Sequence, residues 1–349
     1  MSVALRLAVA GAGVIGRAHL QRIVASPDCA VHSVVDPTPA AKSLAADLGV
    51  PWYADLAAML SEERPLADGV ILATPNALHV PGALQCIDAG VPVLVEKPIA
   101  DTVADAQRLA DTARRTGVPV LVGHHRRHGA LMDAACRAVR SGRLGRLVSV
   151  TGSATFVKPD SYFTDAPWRT QLGGGPILIN LIHEIDNLRA LVGNITAVQA
   201  MASSATRGFE VEDTVAISLR FANGVLGSFL LSDCAASPRS WEQTSAENTA
   251  YDHHADQDCY VLAGTHGSLQ VPTLSLYEFE GERSWFAPMR RQSLPVDTVD
   301  PLVRQLAHFC AVIRGQAEPL VSADEGLATL RAALAVAEAA RTGQLVSLA

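Results

Sequence analysis

The chain has 349 residues, 49% of them hydrophobic and 18% charged, with a formal net charge of -7. That length accommodates two domains with a large core, and the acidic balance excludes nucleic-acid binding by bulk electrostatics. Six scattered cysteines without a C-x-x-C pair argue against a disulfide framework or a zinc site and for a cytoplasmic protein. No run approaches the ~20 apolar residues of a membrane span, and the short apolar N-terminus leads into a glycine motif rather than a signal-peptide cleavage site.

Residues 1–123 alternate strands and helices with the period of βαβ units. "LRLAVAG", "VHSVVD", "GVILAT", "VPVLVE" and "VPVLVG" read as strands. "VIGRAHLQRIVAS", "PAAKSLAADLG", "ALHVPGALQCIDAG" and "TVADAQRLADTARRTG" read as the helices between them. Short apolar strands separated by helices predict a parallel sheet covered on both faces. The basic residues of 124–146 are expected on the solvated face of an amphipathic helix over about 127–142. A helix over about 177–193 follows "GRLVSVTGSATFV", and then come strand-like runs with an Asn223-Gly224 hairpin signal and a turn at "GTHGSL". Residues 245–258 read as a polar, mobile loop. Two helices, about 300–315 and 323–341, close the chain, the second with Ser322 as N-cap. The expected fold is α/β: a Rossmann doubly wound parallel sheet over 1–124, then an α+β domain over 125–349 with a large, mostly antiparallel open sheet.

G-x-G-x-x-G stands at Gly11, Gly13 and Gly16, with Val14 and Ile15 inside it, directly after a strand and opening a helix. In that context the glycines allow a tight turn, close approach of a pyrophosphate and helix–sheet packing. Asp36, twenty residues after Gly16, suits an adenosine ribose and repels a 2′-phosphate, so NAD is favoured over NADP. Thr74, Pro75, Asn76 and Glu96 follow strands at the carboxyl edge of such a sheet, where ligands bind; Asn76 can also cap the next helix, on which His79 lies. Of 28 basic residues only Lys42, Lys97 and Lys158 are lysine, which draws attention to Lys97 in "VEKPIA". An ammonium there can stabilise an alkoxide during hydride transfer. Further on, "GGGPILINLIHEID" puts Asn180 and His183 at i and i+3, with His183 a natural proton acceptor near neutral pH. Tyr162, Trp168 and Arg169 are candidates for holding a hydroxyl-rich or carboxylated substrate. His253, His254 and Asp256 lack ligand spacing, so no metal is expected.

"GAGVIG", "TPNALH", "EKP" and "GGGPILINLIHEIDNLRALVG", in this order, resemble the Gfo/Idh/MocA oxidoreductase family, and the resemblance extends to the C-terminal "SADEG" helix. It implies an interdomain site in which Glu96 contacts the nicotinamide, Lys97 bonds the reacting oxygen, and a cis peptide often precedes Pro98. It also implies a large C-terminal sheet that forms an oligomer interface, hence a homodimer or homotetramer. Many members carry an aspartate four residues before the histidine; here that position is Ile179, so Asn180 would orient substrate without taking a proton. The expected activity is NAD-dependent oxidation of a secondary alcohol in a sugar, polyol or cyclic diol by Lys97 and His183. A redox-neutral sugar enzyme that retains NAD, a cis-dihydrodiol dehydrogenase and a non-catalytic NAD-binding regulator are the alternatives.

Overall fold

The computed structural model describes residues 3–61, 67–297 and 299–348. The chain forms two compact units, Met1–His125 with Pro301–Leu330 and Arg126–Asp300 with Arg331–Ala349.

The first unit begins β1 (Leu5–Ala10), α1 (Val14–Ala25), β2 (Cys29–Val35), α2 (Pro39–Leu48), β3 (Trp52–Tyr53) and α3 (Leu56–Leu60). It continues β4 (Gly69–Leu72), α4 (His79–Asp88), β5 (Val93–Val95), α5 (Val103–Thr116) and β6 (Val120–Val122). Among the described residues its six strands pair in parallel in the order β3-β2-β1-β4-β5-β6. That is the doubly wound order, with the reversal between β1 and β4. β4, β5 and β6 are buried at every position, which is why they read as unbroken apolar runs rather than alternations.

In the second unit, α6 (Ala130–Arg140), β7 (Leu147–Thr155), α7 (Asp160–Thr164) and α8 (Ile182–Val192) precede β8 (Ile195–Ser203), β9 (Thr214–Phe221) and β10 (Leu226–Ser232). Then come α9 (Trp241–Thr244), β11 (Tyr260–Gly264), β12 (Gly267–Val271), β13 (Ser275–Phe279) and β14 (Met289–Ser293). After α10 (Pro301–Ile313) and α11 (Ala323–Thr342), β15 (Val346–Ser347) ends the sheet. The nine strands run β14-β13-β12-β11-β7-β10-β9-β8-β15, and among the described residues every pair is antiparallel except β7 with β10. Strict burial alternation along β9 shows one face on the core and one in solvent. The hairpin between β9 and β10 turns at Asn223-Gly224, with Gly224 at φ +85.

Three sequence expectations need correction. Helix α10 belongs to the first unit, because Leu306, Phe309 and Cys310 complete its core with Leu7, Val9 and Ile71. Gly69 admits it: a Cβ there would lie 2.6 Å from Ile313 Cδ1 and 3.1 Å from the Phe309 ring. Strand β14 was not foreseen, since its mostly exposed "MRRQS" carries no apolar alternation; it is a sheet edge protected by charge.

The third correction concerns the basic cluster. Only Arg137 and Arg140 lie on the outer side of α6; His125–His128 form a 3-10 turn in which Arg126 is 3% exposed. Its guanidinium donates to Glu184 at 2.7 Å and to Glu242, and lies over the Trp241 ring. Tyr260 donates to the other oxygen of Glu184. Arg127 pairs with the buried Asp186 at 3.3 Å. Burial opposes the Arg126 charge, yet Glu242 and Glu184 raise its pKa well above the usual value, while burial raises that of Glu184.

Arg126→Met leaves the Glu184 carboxylate buried without its cation and is expected to cost roughly 3–5 kcal/mol in urea unfolding. Adding Glu184→Gln should recover part of that loss; a single variant as stable as the parent would contradict the pairing.

Candidate active site

In the first unit the glycine motif bridges β1 and α1. Gly11 has φ +93, and a Cβ on it would lie 2.3 Å from the Ala73 carbonyl oxygen; one on Gly16 would lie 1.8 Å from that of Gly11. Gly13 differs: a Cβ on it would meet nothing within 4 Å. It is the N-cap of the 12-residue α1 without a side-chain cap bond, and Val14 beside it is 93% exposed while Ile15 is half-buried. The cradle is therefore open over amide donors at a helix N-terminus, the arrangement that holds a pyrophosphate.

Asp36, at the end of β2, closes one side of this cradle. One carboxylate oxygen accepts from the Ala12 amide at 2.9 Å, and the other accepts from the Thr38 amide and hydroxyl at 2.9 and 2.6 Å. Burial works against the charge, but these bonds and nearby Arg17 hold the carboxyl below its usual range.

After β4, Pro75 caps a short 3-10 turn, Asn76–Leu78, and no side-chain bond is made there, so Asn76 is not the cap expected from sequence. His79, a candidate from sequence for the cofactor site, is 1% exposed. Its Nδ1 lies 2.7 Å from the Pro98 carbonyl oxygen and its Nε2 2.9 Å from that of Thr74, so the ring ties the β4 loop to the E-K-P segment. The Lys97–Pro98 peptide is cis. Glu96 is buried, with Oε1 2.8 Å from His19 Nε2 and Oε2 accepting from the Lys97 amide at 3.2 Å. Burial pushes its pKa up, but His19 first, then His125 and Lys97, bring it below the usual value. Sequence reading passed over His19; the only signal was a histidine three residues after Gly16 on the helix face that meets the sheet.

In the second unit, "GGGPILINLIH" does not form the regular α-helix on which the i, i+3 relation was based. Ile177–Leu181 is a π turn, and α8 starts at Ile182. Glu212 Oε1 accepts from the Ile177 amide at 2.9 Å, and Gly175 leaves room for that carboxylate, since a Cβ would lie 2.4 Å from it. Asn180 lies in the π turn, and His183, 8% exposed, in the first turn of α8.

Asn180 meets a residue to which sequence reading gave no function: Lys158 Nζ is 2.7 Å from its Oδ1. Lys158 is 8% exposed, lies 3.4 Å from Asp233 and sits 4.7 Å from the centre of the Tyr162 ring. Arg169 stacks on the other candidate aromatics, 3.8 Å from Tyr162 and 5.6 Å from Trp168, and donates to the Tyr162 carbonyl at 2.7 Å. Trp168 is 54% exposed, and the Arg169 Nε is buried without a hydrogen-bond partner among the described residues. Beside this cluster is a cavity of about 930 Å³ lined by Lys158, Phe163, Thr170, Thr206, Arg207 and Phe209. His253 and His254 contact the Thr244 carbonyl and Asp252, and no metal-binding group of three or more side chains occurs among the described residues.

Residues 5–124 match the oxidoreductase family with an NAD-binding Rossmann fold, and residues 132–270 match the GFO/IDH/MocA C-terminal domain. A 1,5-anhydro-D-fructose reductase of Ensifer adhaerens is 31% identical over 286 residues, 81% of this chain and 80% of that protein. The chain belongs to the Gfo/Idh/MocA oxidoreductase family. A D-apiose dehydrogenase of Paraburkholderia graminis, 28% identical, spans 85% of this chain and 76% of its own. Among solved structures, the WlbA dehydrogenase from Bordetella pertussis, in complex with NADH and UDP-GlcNAcA, has a TM-score of 0.79 and 25% identity, covering 99% of both chains.

NAD fits the cradle, because the opening over Gly13 and the fixed Asp36 carboxylate are what a dinucleotide requires. Gly13→Ala should fold normally but weaken NAD binding about tenfold or more, on the order of 1.4 kcal/mol, in calorimetric titration. Unchanged affinity would contradict a pyrophosphate at this loop.

A carboxyl group held below its ordinary value of 4.5, as Glu96 is, contributes stability above that value and loses it as pH falls through the folded-state pKa. The parent should therefore lose more stability than Glu96→Gln on acidification through the carboxylate range. Equal losses in thermal unfolding at stepped pH would contradict an ionised Glu96 in the fold.

Proposed function

We propose that this oxidoreductase is an NAD-dependent dehydrogenase acting on a secondary alcohol of a sugar or polyol. The observation that carries the reading is the bond from His19, on the helix of the glycine loop, to Glu96, whose neighbour is Lys97. It holds the first unit's candidate catalytic lysine at the carboxyl end of β5, along the edge that carries the nucleotide cradle.

Bound NAD supplies the hydride acceptor. Lys97 is assigned to stabilise negative charge on the substrate oxygen as it becomes a carbonyl, and His183 to accept the hydroxyl proton. Asn180 orients the substrate but takes no proton, having no titratable group. Asp36, beside the loop, favours NAD over NADP by accepting ribose hydroxyls and repelling a 2′-phosphate. In the second unit, Arg169 offers its buried Nε to a substrate oxygen while Tyr162 and Trp168 flank it. The substrates in the names of the reductase and apiose dehydrogenase relatives support a sugar-like ligand. Self-association belongs to the same reading: Met201, Leu226 and Leu230 are exposed together on the solvent face of the nine-stranded sheet.

The test is NADH formation with NAD and NADP in parallel on a panel of inositols, sugars, sugar acids and cis-dihydrodiols. The expected result is NAD-dependent turnover of a sugar or polyol, with Lys97→Ala lowering kcat by roughly 100-fold or more and leaving NAD affinity nearly unchanged. Silence across the panel with NAD bound, or full turnover by the Lys97 variant, would overturn the proposal.

A further inference from the structure

We propose that Lys158 is a positioning residue for Asn180: its ammonium group fixes the side-chain amide so that the Nδ2–H groups, and not Oδ1, are presented to the substrate. The inference rests on the dehydrogenase reading for its consequence, but the amide orientation stands on geometry alone.

Lys158 is anchored through its backbone. Its amide donates to the Asp233 carbonyl at 2.9 Å, and its own carbonyl accepts from Arg207 Nη2 at 2.9 Å. Its Nζ lies 2.7 Å from Asn180 Oδ1. An ammonium has three donors and no acceptor, so the atom it meets must be the amide oxygen. The oxygen–nitrogen ambiguity of asparagine is thereby removed by chemistry. Asn180 Nδ2 makes no hydrogen bond to a described residue, which leaves both its N–H groups for a ligand.

Charge balance argues that the lysine is more than a tether. Asp233 already pairs with Arg207 Nε at 2.9 Å and does not need a second cation. A buried ammonium is costly, and an apolar side chain of the same length would fill the space with less penalty. Burial pushes the Lys158 pKa down despite Asp233. An ammonium on Oδ1 polarises the amide and strengthens its N–H groups as donors. Donors of that kind favour a substrate oxygen on which negative charge develops.

Two measurements test this. The first needs no substrate: the Asn180 side-chain amide pair in a 15N–1H spectrum, identified by its loss in Asn180→Asp. It should move in Lys158→Met and move less in Lys158→Arg, which keeps a cationic donor facing Oδ1. An unmoved pair in the folded Met variant, or as large a movement in a folded Arg variant as in the Met variant, would overturn the proposal. The second is a double-mutant cycle on the substrate found in the panel. Asn180→Ala should lower kcat about 100-fold and Lys158→Met at least about tenfold, with KM changed less. The double variant should be no slower than Asn180→Ala, whereas multiplying losses would show that Lys158 acts independently. If no alcohol is turned over, the dehydrogenase reading falls, while the amide spectrum still decides the link between Lys158 and Asn180.

Discussion

The first unit is organised around one buried contact, the hydrogen bond between His19 and Glu96. A parallel sheet covered on both faces leaves few places for a charge, and Glu96 stands at the end of a strand whose every residue is buried. A carboxylate persists there because a partner reaches it from α1, the helix that the glycine turn aims across the sheet. The same bond links the glycine loop to the segment carrying Lys97. His79 adds a second tie, from the β4 loop to the Pro98 carbonyl. Cradle and lysine are thus parts of one braced edge.

The second unit solves a related problem differently. Helix α8 is buried almost all round, yet it contains Glu184, Asp186 and Arg189. Each of these is partnered: Glu184 by Arg126 and Tyr260, Asp186 by Arg127, and Arg189 by Asn194. Breaking such a pair is far more costly than never having made it, so these charges fix how the helix can sit. At its N-terminal end the backbone widens into a π turn, with Glu212 receiving the first amide. π turns concentrate at functional sites, and here the turn carries Asn180. Where the family resemblance suggested an aspartate, the chain has Ile179, and the neighbouring Asn180 meets a lysine from a different element.

Much of this was legible in the sequence. The succession of strands and helices in the first unit, the glycine motif with Asp36, the Asn223-Gly224 hairpin and Ser322 as a cap each follow from local chemistry. Ser322 Oγ does accept from the Glu325 amide at 3.3 Å. What failed were inferences about partners. The arginines after His125 looked like a solvated face because periodicity records spacing and not what lies opposite. The exposed strand β14 left no trace because an edge strand needs backbone hydrogen bonds more than apolar side chains.

The sequence by itself determined the fold class, the nucleotide cradle and the identity of the candidate acid–base residues, because each depends on contiguous residues and the local dihedral or donor they supply. Only the tertiary structure decided which charges are paired in the interior. His19 meets Glu96 across 77 positions, Arg126 meets Glu242 across 116, and Lys158 meets Asn180 across 22. Such contacts are set by how sheet and helices pack, and the desolvation that makes them matter exists only once water has been excluded.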